Sequence, residues 1–117
     1  MTTYITIERL QVVAHHGVMA QEAHVGNLFE VTARLAYDFA PAAATDDIEK
    51  AINYAEAVDL INDAMAVPCR LLETVVFRLK EAIMARWPQI TGGSITLYKI
   101  HPPFPSTVAA ASATVEW

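Results

Sequence analysis

Apolar and polar residues alternate most regularly between residues 28 and 39, and this period of two predicts a β-strand with one buried face. The apolar positions are Phe29, Val31, Ala33, Leu35, Tyr37 and Phe39. Pro41 ends the strand. Residues 4–14 also predict a strand, with a β-bulge near Leu10-Gln11, where the alternation slips. The polar segment from His15 to Gly26 is predicted to be a loop.

Two later segments carry apolar residues at helical spacing. Asn53 predicts the cap of a helix from about residue 54 to 66, and Pro68 lies beyond its end. A second helix is predicted over residues 71–86, ended by Trp87-Pro88. Before both, Thr45-Asp46-Asp47 predicts a short helical turn over residues 48–51.

Two strands close the chain, over residues 94–100 and 108–117, and Gly92-Gly93 precedes them. The order is therefore β-β-α-α-β-β. Hairpins on either side of a helical pair predict an α+β fold, with an antiparallel sheet and two helices on one face. Residues 1–117 have the length of a single domain and contain no repeat or linker.

The composition predicts self-association. Hydrophobic residues make up 54% of the chain and charged residues 18%, against roughly 45–50% and 25% in typical domains. No apolar run approaches the ~20 residues of a membrane span, so burial against other copies of the chain is the explanation that remains. The net charge is −5 without a basic patch, so nucleic acid is not expected as a partner. Because a long apolar run is missing, a membrane is not expected as a partner either.

The cellular location is expected to be the cytoplasm. Cys69 is the only cysteine, so no intrachain disulfide forms, which suits a reducing compartment. The N-terminal residues lack the basic region and long apolar core of a signal peptide.

The sequence contains no phosphate-binding loop, nucleophile elbow or dinucleotide fingerprint. His15-His16 is the one candidate metal pair, but adjacent side chains on a strand point to opposite faces. His24 could join either of them, yet no carboxylate stands at a ligand spacing. No metal site is therefore expected.

Four polar residues stand where they could carry chemistry. Glu22 lies in the first loop, and a solvated acid is its plainer interpretation. Glu73 opens a helix, where the dipole favours a carboxylate, but it adjoins the apolar stripe and could turn inward to bind a 2-aminopyrimidinone edge. Lys99 shares a strand face with apolar residues, so it is either a snorkelling lysine or a buried functional amine. Tyr54 begins a helix, where packing with a solvated hydroxyl is usual.

A series of short motifs, from one end of the chain to the other, resembles the dihydroneopterin aldolase family in order and spacing. The motifs are Tyr4-Ile5-Thr6-Ile7, His16-Gly17-Val18, Gln21-Glu22, Gly26-Asn27, Thr45-Asp46-Asp47, Asn53-Tyr54, Leu71-Leu72-Glu73 and Lys99-Ile100-His101-Pro102-Pro103-Phe104. Each motif alone is weak, but the ordered set is specific. Asn27 departs from the glutamine found in many relatives.

This resemblance implies a tunnelling fold, in which the sheets of several subunits join into a barrel. The assembly would be a tetramer or an octamer with active sites at subunit interfaces. The implied activity is a carbon-carbon lyase of folate biosynthesis. It would split 7,8-dihydroneopterin into 6-hydroxymethyl-7,8-dihydropterin and glycolaldehyde, without metal or cofactor.

The resemblance also implies roles for individual residues. Lys99 and Glu22 match the catalytic lysine and the acid near the side-chain diol, and Tyr54 matches a catalytic tyrosine supplied by the adjoining subunit. The matched substrate-binding positions are Glu73 as pterin anchor, Leu72 beside it, Asp46 and Ile52 from the neighbouring subunit, and His16 and Val18 in the loop that shapes the pocket.

Three alternatives remain open at this point. One is an epimerase of the same fold, acting on dihydroneopterin or its triphosphate. The second is a pterin-binding or structural oligomer without turnover. The third is a zinc-dependent relative of the pyruvoyl-tetrahydropterin synthase type, although the histidine cluster of that enzyme is missing here.

Overall fold

The computed structural model describes residues 1–105 and 107–117. Four strands, β1 (Tyr4–Ala14), β2 (Asn27–Ala36), β3 (Gly92–Ile100) and β4 (Ala110–Glu116), form one sheet in the order β1-β2-β3-β4. Every neighbouring pair is antiparallel. Two main helices, α2 (Tyr54–Met65) and α3 (Leu72–Arg86), lie between β2 and β3 in the chain. A shorter helix, α1 (Ala40–Thr45), precedes them. The α+β class, the antiparallel sheet and the two main helices are as predicted.

The core lies between the helices and one face of the sheet. Phe29, Val31, Ala33 and Leu35 on β2 have no exposed surface, and the same holds for Ile95 and Leu97 on β3. In register, Val31 lies opposite Leu97 and Phe29 opposite Lys99. Lys99 therefore occupies a core-facing position at one end of the sheet.

The second strand ends earlier than its alternation predicts. Tyr37 is still buried, but β2 stops at Ala36 and Phe39 already caps α1. The sequence pattern does not predict helix α1, because it indicates only that a strand ends at Pro41. Pro41 stands in the first turn of α1, where proline loses no hydrogen bond.

Two capping side chains determine where the elements after α1 begin. The side chain of Asn53 accepts a hydrogen bond from the Ala55 amide at 2.9 Å and begins α2, as predicted. The predicted turn before it is a 3-10 turn, Ile48–Lys50, in which Asp47 accepts from the Glu49 amide at 3.0 Å.

The predicted bulge in β1 lies slightly nearer the N-terminus than expected, between Ile7 and Leu10. Arg9 adopts a φ of 55° there, and its amide donates to Thr32 Oγ1 at 3.2 Å. Its Nε donates to the buried Glu30 at 2.8 Å, on the face of the sheet that the helices leave uncovered. No helix within the described residues is long and apolar enough to cross a membrane.

Candidate active site

Lys99 is a buried amine with two oxygen partners. Its side chain is 10% exposed, and its Nζ donates to the main-chain carbonyl of His16 at 3.0 Å and to Oε1 of Glu22. The Phe29 ring lies 5.8 Å from Nζ. Of the two interpretations of Lys99, the structure therefore supports the buried amine rather than the snorkelling one.

Glu22 is an ionised carboxylate, not a solvated loop acid. It lies in a 3-10 turn, Ala20–Ala23, and is 6% exposed. Burial would raise the pKa of its carboxyl, but the hydrogen bonds from Lys99 and from the Met19 amide, together with the lysine's charge, hold that pKa below its ordinary value. The Met19 amide donates to Oε2 at 3.0 Å, which leaves Oε1 for the lysine.

The Lys99–Glu22 pair depends on the residue type at position 17. A Cβ built on Gly17 would overlap the Glu22 carboxylate. The Gly17 amide also donates to the Cys69 carbonyl at 2.9 Å. Because Gly17 has no side chain, the turn Ala20–Ala23 can pack closely against it, and Glu22 reaches Lys99.

A cavity of about 270 Å³ opens over this pair. Its lining comprises Gly17, Val18, Met19, Glu22, Arg70, Leu71, Leu72, Glu73, Lys99, Pro102, Pro103, Phe104 and Ala111. Charged groups therefore sit within a largely apolar surface, as in a site that binds a flat heterocycle and orients it with few polar contacts.

Five of the residues predicted to form the site line this cavity. They are Lys99, Glu22, Glu73, Leu72 and Val18. Glu73 stands in the first turn of α3 and is exposed, so the expected inward turn is not seen, and its carboxylate meets solvent at the cavity. Val18 is also exposed, and Leu72 is half-buried.

The other four predicted residues do not line the cavity of a single chain. His16 is 1% exposed and lies beneath Lys99. Tyr54 is 65% exposed at the start of α2. Asp46 is exposed at the end of α1 with a φ of 55°. Ile52 is 2% exposed, and its amide donates to the Tyr37 hydroxyl at 3.3 Å.

Several lining residues had no predicted role. Arg70 and Leu71 come from the connection between α2 and α3, and Pro102, Pro103 and Phe104 follow β3. The run His101-Pro102-Pro103-Phe104-Pro105 was the available signal, since so many prolines fix a loop.

A second cavity, of about 300 Å³, lies on the uncovered face of the sheet by Arg9, Glu30 and Tyr98. Its two charged groups already neutralise each other. Among the described residues, no group of three or more histidines, cysteines and acids is placed to hold a metal ion.

Similarity to known proteins is consistent along the whole chain. Residues 5–116 match the model of the FolB dihydroneopterin aldolase family. The Bacillus subtilis dihydroneopterin aldolase is 28% identical over 102 residues, which cover 86% of this chain and 85% of that protein. The Haemophilus influenzae dihydroneopterin aldolase is 32% identical over 108 residues, covering 92% and 86%.

The fold has close counterparts among solved structures. The Escherichia coli dihydroneopterin aldolase, solved in complex with neopterin, superposes with a TM-score of 0.91 at 22% identity, covering 98% of each chain. Fold, family match and sequence relatives agree: the chain belongs to the dihydroneopterin aldolase family, whose members are aldehyde-lyases.

Proposed function

We propose that this chain, as one domain over residues 1–117, cleaves 7,8-dihydroneopterin into 6-hydroxymethyl-7,8-dihydropterin and glycolaldehyde. The observation that carries the proposal is the buried Lys99–Glu22 pair facing a cavity that Glu73 also lines. Family membership and the neopterin complex of the Escherichia coli relative support a pterin as the ligand.

The reaction is a retro-aldol cleavage of the bond between the first and second side-chain carbons. A base takes the proton of the second carbon's hydroxyl, that carbon becomes the aldehyde, and the bonding electrons move towards the pterin ring. The C6=N5 bond of the substrate accepts these electrons once N5 receives a proton. The substrate therefore supplies the electron sink that other aldolases obtain from a lysine imine or a metal.

The two paired residues suit the two ends of this electron movement. We assign Lys99 to deliver a proton to N5, directly or through a water, because its amine is held inside the cavity wall. We assign Glu22 to the side-chain diol, because its carboxylate is ionised and can accept a proton or a hydrogen bond. No covalent bond to Lys99 is required.

Binding of the pterin ring is assigned to Glu73. A carboxylate can accept two parallel hydrogen bonds from the N3–H and the 2-amino group of the pterin. Leu72 and Leu71 beside it offer apolar surface and main-chain groups for the ring. Exposure of Glu73 in the single chain leaves its carboxylate available to a ligand.

Completion of the site is assigned to a second copy of the chain. Tyr54, Asp46 and the backbone at Ile52 lie outside the cavity, and Tyr54 is mostly exposed. β1 and β4 are the edge strands of the four-stranded sheet. The outer edge of such a strand can form main-chain hydrogen bonds with a strand of another copy. We therefore propose a ring of four, alone or stacked as an octamer, in which Tyr54 of one subunit, or a water that it orders, protonates the enol carbon in its neighbour's site. N5 returns its proton to Lys99 in this step, which restores the C6=N5 bond of the product.

A product analysis tests the proposed function. The purified protein is incubated with 7,8-dihydroneopterin and a chelator, and the pterins and glycolaldehyde are identified by chromatography and mass spectrometry. The proposal predicts equal amounts of 6-hydroxymethyl-7,8-dihydropterin and glycolaldehyde. An epimerised pterin without glycolaldehyde would identify an epimerase. Unchanged substrate would indicate a pterin-binding or structural protein without turnover.

A further inference from the structure

His16 lies between the proposed catalytic lysine and the connection that leads into α3, the helix of the proposed pterin anchor. Its carbonyl accepts the hydrogen bond from Lys99 Nζ at 3.0 Å. Its ring Nδ1 accepts from the Cys69 amide at 3.0 Å. Cys69 lies between α2 and α3, four positions before Glu73. One residue therefore contacts both Lys99, which lines the cavity, and Cys69, which directly precedes the lining residue Arg70.

These contacts fix the tautomer of the imidazole. Because Nδ1 accepts a hydrogen bond, the proton of the neutral ring is on Nε2. Among the described residues, Nε2 is buried and has no hydrogen-bond partner, although the Met65 main chain lies close enough to the ring to raise its pKa. Met65 is the last residue of α2, where helix carbonyls lack partners within the helix. The ring is thus bracketed by the end of α2 and the connection that follows it.

The surroundings also keep the ring uncharged. Burial lowers the pKa of His16, the Met65 carbonyl raises it, and the positive charges of Lys99 on β3, His15 after β1 and Arg78 on α3 lower it again. Glu22 is the acid nearby, and Lys99 already pairs with it. Protonation would turn Nδ1 into a donor and remove the acceptor of the Cys69 amide.

We propose that His16 is a positioning residue: its neutral imidazole, protonated on Nε2, couples the location of the Lys99 amine to the connection that leads into α3, where Glu73 stands in the first turn. The proposal rests on the function proposed above for Lys99 and Glu73. It changes the role expected for His16, which does not touch the ligand cavity but holds two parts of it together. A second hydrogen bond joins the same two segments, from the Gly17 amide to the Cys69 carbonyl at 2.9 Å.

The first test reads the ring directly in the unaltered protein. Nitrogen-15 NMR of the histidine rings, between about pH 5.5 and 8, distinguishes the two tautomers and the charged form. The proposal predicts a neutral His16 ring with hydrogen on Nε2 at neutral pH and above, and slow exchange of the Cys69 amide. A ring with hydrogen on Nδ1, or a charged ring at neutral pH, would overturn it.

The second test uses variants that separate hydrogen bonding from packing. His16→Phe keeps a ring but removes both nitrogens, whereas His16→Asn places an oxygen where Nδ1 lies. We expect His16→Phe to lower kcat/KM by about tenfold or more, with both a lower kcat and a higher KM, since the amine and the anchor shift together. His16→Asn should recover most of this loss. His15→Asn, at the exposed neighbouring position, is the matched control and should behave as the unaltered protein.

The outcomes are distinct. Loss of thermal stability in His16→Phe with unchanged kcat and KM would show a purely structural residue and overturn the proposal. Equal losses in His16→Phe and His16→Asn would overturn it as well. Should the unaltered protein not cleave dihydroneopterin at all, the proposed function fails, while the tautomer and the protection of the Cys69 amide still decide whether His16 holds the connection.

Discussion

Gly17 and Glu22 lie in contact across the first loop, and the space that a Cβ on Gly17 would need is filled by the Glu22 carboxylate. The φ angle of Gly17 is negative, so the glycine is required there for space and not for backbone freedom. The position of the carboxylate that pairs with Lys99 therefore depends on a residue without a side chain.

Replacing Gly17 tests this dependence. Gly17→Ala should push the Glu22 carboxylate away from Lys99 and lower kcat/KM by about a hundredfold, the effect of a misplacement on the order of 1 Å. Steady-state cleavage of dihydroneopterin measures the loss. Gly26→Ala is the matched control, because the one close approach of its Cβ would be to Cγ1 of the exposed Val13 side chain, at 2.7 Å. Full activity of Gly17→Ala would show that the Lys99–Glu22 contact is not needed.

Replacing Lys99 should separate chemistry from binding. Lys99→Met removes the proposed proton donor to N5, so kcat should fall by about 10²–10⁴-fold while the dissociation constant for neopterin changes little. Single-turnover kinetics and a fluorescence titration measure the two quantities. Lys50→Met, at an exposed position in the turn before α2, provides the control. Normal turnover by Lys99→Met would refute the assigned role.

Replacing Glu73 should do the reverse. Glu73→Ala leaves the N3–H and amino group of a bound pterin without an acceptor, which costs about 2–5 kcal/mol, so neopterin affinity should fall at least about tenfold. Glu81→Ala changes an exposed acid on the same helix and should bind normally. If Glu73→Ala binds neopterin as well as the unaltered chain does, the carboxylate does not bind the pterin and only stabilises the N-terminus of α3 through the helix dipole.

The two-subunit site is tested by mixing two inactive variants. Tyr54→Phe and Lys99→Met are denatured together and refolded, so that some interfaces combine an intact Lys99 with a neighbour's intact Tyr54. If the site is shared, these interfaces restore part of the activity. Native mass spectrometry verifies mixed assembly. A mixed assembly no more active than its parents would place both residues in one chain's site.

Much of the fold follows from the sequence because its elements carry local signals. The alternation along β2 and the cap at Asn53 are read directly from neighbouring residues. Helix α1 was missed because its six residues, APAAAT, carry no apolar stripe. The end of β2 was misplaced because Tyr37 stays buried after the strand stops, so the alternation outlasts the hydrogen bonding.

The site is less accessible to sequence reasoning because its contacts are distant in the chain. Lys99 and Glu22 are 77 positions apart, and no local pattern shows that their side chains meet. The resemblance to a known family brought these two residues together as candidates, but it assigned His16 to the pocket itself. Only the folded geometry shows His16 beneath the lysine.

The bulge in β1 changes how residue number maps onto the faces of the sheet. Ile5 and Ile7 before it pack against the same core as Leu10 and Val12 after it, although the first pair has odd numbers and the second even ones. Two residues of β1 stand opposite the single Thr32 at this point, so removal of one would restore an unbroken alternation and keep the same side chains inward. The extra residue thus adds nothing to the core. It gives the uncovered face Arg9, whose side chain pairs with Glu30 there, and it marks a point where chain length can change by one without reversing the strand.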